Sequence, residues 1–279
     1  MSDQKIVLPG PLLLVGCGKM GGALLRGWLG RGVAGKNVFV VDPAPRDLED
    51  VQARGVTIAA AIDQLPAGLQ PGIVLLAIKP QFMDEALPAY RRFAKAGTVF
   101  LSIAAGKTVA YLKSKLGADA AIVRSMPNTP AAVGRGMSVI LKDPSIPAAT
   151  LELCGQLLSA VGKVGWIDEE DQINAVTALS GGGPAYVYLL IEYLAEAGRA
   201  AGLPADLAMQ LARETVVGSG ELAYQSSESA TKLREAVMSP KGTTIEALAV
   251  LMAPDGLQPL LTKAIAAATT RGREIAEGK

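Results

Sequence analysis

The clearest indication of the fold of this 279-residue chain is the segment Leu12-Leu13-Leu14-Val15-Gly16-Cys17-Gly18-Lys19-Met20-Gly21. Its four apolar residues predict a buried strand, and its glycines follow the pattern G-x-G-x-x-G where a helix should begin. In that context the glycines allow a tight turn, a close approach of the backbone to a pyrophosphate and tight packing of helix on strand. We therefore predict a dinucleotide-binding loop. The residues predicted to contact the cofactor there are Gly16, Cys17, Gly18, Lys19, Met20 and Gly21.

A second copy of the same glycine pattern shows why the context matters. Gly30, Gly32 and Gly35 also match it, but they follow a helical stretch rather than a strand. We interpret this copy as the end of a helix and the loop after it.

Asp42 bears on the choice of cofactor. It ends the second predicted strand and lies 21 residues after Gly21, where an acid typically accepts the ribose hydroxyls of NAD and repels a 2′-phosphate. Arg46 is close enough in sequence to pair with such a phosphate, and an Asp before Pro43 also suits an ordinary turn. The residues therefore predict NADH or NADPH without choosing between them.

The order of the apolar segments indicates the architecture. Up to Trp166, short apolar runs alternate with helical stretches such as 19–30, 84–93 and 150–160, as in an open α/β sheet with parallel strands. The predicted strands are 12–15, 38–41, 73–78, 99–103, 121–124, 137–141 and 164–167. After them come Ala/Leu-rich segments with helical spacing at 170–179, 185–201, 204–224, 230–238, 244–252 and 258–276.

We therefore predict an α/β fold with an N-terminal Rossmann-type dinucleotide-binding domain, 1–167, followed by an all-α C-terminal domain, 168–279. The segment Ala185–Leu194 is apolar on every face until Glu192, although a small helical layer has little interior in which to bury it. We expect a partner subunit to cover it, which makes the all-α part a dimerisation domain and the protein at least a homodimer.

Composition excludes several classes of function. Lys plus Arg is 27 and Asp plus Glu is 26, so no strong field attracts nucleic acid or a membrane surface. The chain has no histidine, which removes Ser-His-Asp triads, His bases and most catalytic zinc sites, and we expect no metal. Its two cysteines, Cys17 and Cys154, predict a reducing compartment, so we expect a cytoplasmic protein. The uncharged stretch 172–191 holds polar residues, three glycines and a proline, which favours buried helices over a membrane span.

Sheet topology predicts further cofactor contacts, because ligands of open α/β sheets lie outside the carboxyl ends of the strands. Lys79-Pro80 follows one predicted strand and Ala104-Ala105-Gly106 follows the next. Taken singly, either loop also reads as a plain connection. In a dinucleotide fold these loops are the expected walls around the nicotinamide.

Three longer motifs resemble those of pyrroline-5-carboxylate reductases, in the same order and over essentially the whole chain. They are Arg124-Ser125-Met126-Pro127-Asn128-Thr129-Pro130, Ala178-Leu179-Ser180-Gly181-Gly182-Gly183-Pro184-Ala185-Tyr186 and Ser239-Pro240-Lys241-Gly242-Thr243-Thr244. The resemblance implies reduction of a small cyclic imino acid, 1-pyrroline-5-carboxylate, to L-proline with NADH or NADPH. It also implies a helical domain that joins two subunits, and often an assembly of dimers.

Carried over by position, the resemblance implies individual roles. It places Ala77, Ile78, Lys79 and Pro80, and also Ala104, Ala105 and Gly106, in the cofactor loops. It makes Gly242, Thr243 and Thr244 the turn that binds the substrate carboxylate. Asn128 is assigned to the substrate site by topology, since it lies beyond a strand end where the nicotinamide is expected. Two departures stand out: Lys241 occupies a place often held by glycine, and 59–62 lacks the polar residue that commonly meets the cofactor ribose.

The chemistry can be considered without the family. Free N–H groups and two hydroxyls at the start of a helix suit a small carboxylate, although for Gly242-Thr243-Thr244 alone an ordinary Thr N-cap is the more frequent outcome. A protonated imine is already electrophilic, so the protein mainly has to align it with the nicotinamide, which explains how histidine can be missing. If a side chain assists with the proton of the imine, Thr243 is our candidate for that catalytic residue.

Two rival functions are considered. A β-hydroxyacid dehydrogenase shares the glycine loop, but that group has a different pattern after the domain boundary, with a catalytic lysine on the first long helix. Residues 172–191 of this chain contain no lysine, which argues against this function. A non-catalytic dinucleotide sensor would keep the Rossmann half without needing Asn128, 181–184 or 242–244. Oxidation of NADH with and without the imine distinguishes a sensor from an enzyme.

Overall fold

A computed structural model describes residues 6–94 and 97–279 of the chain. Within these described residues, eight strands form one sheet in the order β3-β2-β1-β4-β5-β6-β7-β8. They are β1 (Leu12–Val15), β2 (Val38–Val41), β3 (Thr57–Ala59), β4 (Ile73–Leu76), β5 (Val99–Ser102), β6 (Ala121–Met126), β7 (Gly136–Leu141) and β8 (Gly162–Ile167). The chain moves outward from β1 to β3 and then returns to the other side of β1 with β4. The order of strands therefore reverses at β1, where open α/β sheets bind their ligands.

The helices fall into two groups. Those that accompany the sheet are α1 (Lys19–Gly30), α2 (Glu49–Gln52), α3 (Met83–Tyr90), α4 (Val109–Leu116), α5 (Ala148–Ser159) and α6 (Gln172–Val176). Those that follow it are α7 (Gly183–Ala200), α8 (Ala205–Gln225), α9 (Ala230–Ala236), α10 (Thr243–Leu251) and α11 (Leu257–Ala276). The predicted fold class, a Rossmann-type α/β domain followed by helices, is confirmed.

The core lies on both faces of the sheet, because successive residues of a strand point to opposite sides. Leu12 and Leu14 of β1 pack on one face with α1 and α5, whereas Leu13 and Val15 pack on the other with α3 and α4. Trp28, a residue of α1, is fully buried against α5. Its indole N–H donates to the carbonyl oxygen of Leu157 at 2.9 Å, so the largest side chain of this core also has its polar group satisfied.

Contacts divide the chain into two units, one running to Gly181 and including 268–279, and the other comprising Gly182–Ala267. We call them the sheet unit and the helical unit. Helix α11 is divided between the two units: residues 257–267 belong to the helical unit, and the remaining turns belong to the sheet unit. The boundary that the sequence indicates near Ile167 stays a prediction for the functional domains.

The helical unit buries little of its own apolar surface. Helices α7 and α8 pack on each other, with Gly198 against Ala208, and the buried hydrophobic residues described in this unit are the three alanines Ala195, Ala208 and Ala212. On α7 the aromatic side chains Tyr188 and Tyr193 are 60% and 66% exposed. None of the described helices combines the length and the apolar character needed to cross a membrane.

The structure differs from the sequence-based expectations in three places. Strand β3 and helix α4 were missed, the first because it has only three residues. The sheet is also not wholly parallel, since β6 and β7 run antiparallel. Only nine residues join these two strands, fewer than a parallel crossover needs.

The segment 170–179, expected to be one helix, is divided. Helix α6 ends at Val176 and a π-helical turn, Thr177–Gly181, continues it. The hydroxyl of Thr177 donates to the carbonyl oxygen of Ile173 at 2.7 Å, a back-bond that bends helices. Turns of this kind occur frequently at functional sites.

Candidate functional site

The loop after β1 has the shape that a dinucleotide requires. Gly16 has φ 88°, and a Cβ placed on it would lie 2.7 Å from the carbonyl oxygen of Ala77. A Cβ on Gly21 would collide with the carbonyl oxygen of Gly16, so any other residue would push helix and strand apart. By contrast, the space beside Gly18 is open, and Gly18 begins α1 without a side-chain cap. The first N–H groups of α1 thus face an open approach, as a pyrophosphate needs.

The carboxylate of Asp42 braces this loop. Its Oδ2 accepts the backbone N–H of Cys17 at 2.6 Å and its Oδ1 accepts that of Ala44 at 2.9 Å. Each oxygen keeps a further lone pair, so the group is able to accept ribose hydroxyls while it holds the loop. Burial, with Asp42 nearby, raises the pKa of the Cys17 thiol to about 11, which keeps this side chain of the glycine loop neutral.

Acceptance of a 2′-phosphate would require a cation near Asp42. Arg26 already forms an ion pair with Asp50, to which its Nε donates at 2.8 Å, so it is not the cation expected for a 2′-phosphate. The guanidinium of Arg26 in turn holds the pKa of the Asp50 carboxyl below its usual range. Arg46 is exposed on the turn after Asp42, so the structure places both an acid and a cation at the end of β2.

The other predicted cofactor residues lie at the carboxyl ends of neighbouring strands. Ala77 follows β4 and donates its N–H to Val15 of β1 at 2.8 Å, next to the glycine loop. Lys79 is exposed, and Pro80 begins a short 3-10 helix. The loop Ala104–Gly106 follows β5 on the next strand of the sheet. The structure therefore brings together the predicted loops after β1, β2, β4 and β5 at one edge.

Asn128 acts first as a connector. Its side-chain Nδ2 donates to the hydroxyl of Ser180 at 3.1 Å, and its Oδ1 accepts the backbone N–H of Met137 at 2.8 Å. These bonds tie the end of β6 to the start of β7 and to the π-helical turn. The second N–H and second lone pair of this amide remain for a ligand, and the assignment of Asn128 to the substrate stays a prediction.

An ion pair beneath this edge was missed by the sequence reasoning. Arg124 on β6 is 2% exposed, and its Nη1 lies 2.9 Å from Glu170 Oε1. The same oxygen accepts the backbone N–H of Val109, the first residue of α4, at 2.8 Å. Burial lowers the pKa of the Arg124 guanidinium, and among the described residues its Nε and Nη2 have no hydrogen-bond partner. A charged residue inside a predicted buried strand, Arg124 directly after Ile122 and Val123, was the available signal.

The turn before α10 lies in the helical unit. Gly242 is the N-cap residue of α10, and no side chain accepts a hydrogen bond from the helix start. The chain does use side-chain caps elsewhere, since Thr108 caps α4 and Ser229 caps α9. Thr243 is an exposed residue at the first helical position. The start of α10 thus offers free donors, and its role as a carboxylate site stays a prediction.

Lys241 is strained within this turn. Its φ is 61°, in the left-handed region that favours glycine. A glycine at this position would adopt the conformation without that strain. The ammonium group of Lys241 adds a positive charge directly before the free donors of α10.

Comparison with known proteins gives consistent results for both units. A family model described as pyrroline-5-carboxylate reductase dimerisation matches residues 170–275, and one described as NADP oxidoreductase, coenzyme F420-dependent, matches residues 12–106. The pyrroline-5-carboxylate reductase of Pseudomonas aeruginosa is 36% identical over 266 residues, which cover 95% of this chain and 97% of the relative.

Solved structures agree with the sequence relatives. A pyrroline-5-carboxylate reductase from Coxiella burnetii matches with a TM-score of 0.87 at 31% identity, covering 96% of this chain and 98% of that one. The Plasmodium falciparum pyrroline carboxylate reductase, crystallised with NADP bound, matches with a TM-score of 0.78 at 26% identity, covering 98% of this chain and 100% of that one.

Proposed function

Because the chain belongs to the pyrroline-5-carboxylate reductase family, we propose that it reduces 1-pyrroline-5-carboxylate to L-proline with NADH or NADPH, the last step of proline biosynthesis. The observation that carries this proposal is the match over 95% of the chain to a reductase of that name. The glycine loop supports it independently, since Gly16 and Gly21 leave room for nothing larger and Gly18 faces open space.

The sheet unit holds and orients the cofactor, which supplies the hydride when bound. The N–H groups at the start of α1 bind the pyrophosphate, and Asp42 accepts the ribose hydroxyls. The loops after β4 and β5, Ala77–Pro80 and Ala104–Gly106, would orient the nicotinamide. These residues bind and align, so neither histidine nor a metal is needed. Among residues 6–94 and 97–279, no three His, Cys, Asp or Glu side chains are grouped to hold a metal ion.

The helical unit anchors the substrate. The free N–H groups of α10 and the hydroxyls of Thr243 and Thr244 would donate hydrogen bonds to the carboxylate of the imine. The oxygen of the Thr243 hydroxyl can at the same time accept a hydrogen bond from the N–H of the protonated imine. We propose that Asn128, which follows β6, also contacts the substrate. We propose further that the boundary between the two functional domains lies near Ile167.

The direct test follows reduced nicotinamide by its absorbance. Purified protein is expected to oxidise NADH or NADPH only when 1-pyrroline-5-carboxylate is present, and chromatography should detect proline in equal amount. Binding of NADH without imine-dependent oxidation of either cofactor would overturn the proposal and favour a dinucleotide sensor.

Asp42→Ser is expected to raise the ratio of kcat/KM for NADPH to that for NADH by about tenfold, because the substitution removes the charge that repels a 2′-phosphate. The hydroxyl of serine still accepts one N–H, which helps the loop to keep its shape. Steady-state kinetics with both cofactors measure this ratio. Asp119→Ser is the matched control, since Asp119 is exposed before β6 at the opposite edge of the sheet. A wild-type protein that prefers NADPH by about tenfold would contradict this role of Asp42.

The protein is expected to be at least a homodimer in solution. The exposed tyrosines of α7 and the three alanines that form the buried part of the helical unit leave a broad apolar surface for a second copy to cover. Light scattering at micromolar concentration should therefore give a mass of at least twice 28.8 kDa. A stable particle of 28.8 kDa would contradict the prediction.

We also propose that the protein works in the cytoplasm. Cys17 and Cys154 are both buried and free, and burial raises the pKa of the Cys154 thiol to about 12. Two buried, unpaired thiols fit a reducing compartment.

A further inference from the structure

The last turns of α11 lie on the loop assigned to the nicotinamide. Gly106 has φ 70°, and a Cβ placed on it would lie 2.5 Å from Cγ2 of Ile275. The three atoms nearest to that position all belong to Ile275. This side chain therefore covers the backbone of Gly106 directly, and the loop has a glycine partly because α11 occupies the space that a side chain would need.

Two further contacts hold the same end of α11 in place. Arg273 donates to both carboxylate oxygens of Asp171, from Nε at 3.0 and 3.2 Å and from Nη2 at 2.6 Å. Gly272 packs on Asn174, because a Cβ placed on it would lie 3.2 Å from Asn174 Oδ1. The amide of Asn174 in turn donates to Asp171 at 3.1 Å.

The residue next to Asp171 reaches the other end of the same loop. Glu170 accepts the N–H of Val109, where α4 begins after the loop Ala104–Gly106. The loop is thus contacted at Gly106 by Ile275, while Glu170 and Asp171 connect the start of α4 with Arg273. Ile275, Arg273 and Glu170 all act from outside the loop.

We propose that Ile275 and Arg273 are positioning residues for the nicotinamide cofactor, acting through the loop Ala104–Gly106. Ile275 fixes the position of the Gly106 backbone by direct contact. Arg273 holds the end of the helix that carries Ile275 through its ion pair with Asp171. The proposal rests on the assignment of this loop to the cofactor under the proposed function. It adds that the end of the last helix sets the affinity for reduced nicotinamide.

A double-mutant cycle between Gly106 and Ile275 tests this contact. The dissociation constant of NADH is measured by calorimetry without imine, so the readout does not depend on turnover. Ile275→Ala is expected to weaken binding about threefold, and Gly106→Ala more than about tenfold, since the new methyl group meets Ile275. In the double variant the new methyl group has room, because the Ile275 side chain is gone. The dissociation constant of NADH should therefore rise by about threefold less than the product of the two single-variant increases. Strict additivity would overturn the contact as a determinant of affinity.

The two arginines near the end of α11 provide a matched pair. Arg273 is 52% exposed and pairs with Asp171, whereas Arg271 is 59% exposed and pairs with Glu274 on its own helix. Arg273→Ala is expected to weaken NADH binding by about two- to fivefold, and Arg271→Ala to leave it unchanged. With either positioning variant, KM for NADH should rise more than kcat falls, and Arg273→Lys should recover part of the affinity. Equal dissociation constants for both Arg→Ala variants, with only a lowered thermal midpoint for Arg273→Ala, would overturn the proposal. A wild-type chain that binds no NADH or NADPH would instead refute the proposed function.

Discussion

Replacing Glu170 with alanine is expected to lower the free energy of unfolding by about 3 kcal/mol, because it leaves the guanidinium of Arg124 buried without a counter-charge. Arg124 is 2% exposed and two of its nitrogens already have no hydrogen-bond partner among the described residues, so little else compensates its charge. The substitution also removes the acceptor for the N–H of Val109. Because the Glu170 side chain is 34% exposed, the loss should stay at the lower end for a broken buried pair.

Urea unfolding at one fixed protein concentration measures this loss, since a dimer gains apparent stability with concentration. Glu169→Ala is the matched control, because Glu169 is the exposed neighbour of Glu170. Arg124→Met combined with Glu170→Met should be more stable than Glu170→Ala, as the uncompensated charge is then gone. Equal unfolding midpoints for Glu170→Ala and Glu169→Ala would contradict the prediction, because they would show that the charge of Arg124 is solvated by water or by a small structural rearrangement without Glu170.

The parts of the sheet unit that the sequence predicted well are those with local causes. Strands β1 and β2 and helix α1 were predicted to the residue, because an apolar run and a glycine pattern are read within a few positions. The second glycine pattern also behaves as expected, since α1 ends at Gly30 and a turn follows. Helix α4 was missed although Thr108 caps it and Leu112 and Leu116 enter the core.

The interactions that sequence reasoning could not find are those between distant positions. Arg124 pairs with Glu170, which is 46 residues away, and Asn128 reaches Ser180 across 52 residues. Each side chain is readable as polar, but its partner depends on the complete fold. The contact of Ile275 with Gly106 has the same character. Glycine at position 106 was assigned to a cofactor loop, whereas the need for space beneath the last helix appears only in three dimensions.

The start of α10 combines both situations. The sequence predicted a helix from Thr244 to Met252, and the structure has one from Thr243 to Leu251. What the sequence left open was the cap, for which an ordinary Thr N-cap was the more frequent alternative. In the structure the cap residue is Gly242, with no side-chain hydrogen bond at the helix start. The hydroxyl of Thr243 therefore does not stabilise the helix in the way that the hydroxyl of Thr108 stabilises α4.

This difference makes Thr243→Ala informative, because capping and substrate binding predict opposite patterns of loss. If the hydroxyl binds the substrate carboxylate, kcat/KM for the imine should fall by roughly ten- to hundredfold, equivalent to about 1.5–3 kcal/mol for a hydrogen bond to a desolvated charge. Stability should change little, and the dissociation constant of NADH should stay the same, since the cofactor loops are untouched. Loss of a capping residue would instead lower the free energy of unfolding by about 1 kcal/mol without a specific effect on the imine.

Steady-state kinetics, urea unfolding and NADH calorimetry on the same preparations separate these outcomes. Thr243→Ser keeps the hydroxyl and should retain most of the activity, whereas Thr108→Ala is the control for a true cap and should lose stability by about 1 kcal/mol. Wild-type kcat/KM for the imine in Thr243→Ala, or weakened NADH binding in its place, would show that this turn does not hold the carboxylate. The expected result, a loss confined to the imine, would place the anchor for the substrate at the free donors of α10, where a glycine cap leaves the helix start open.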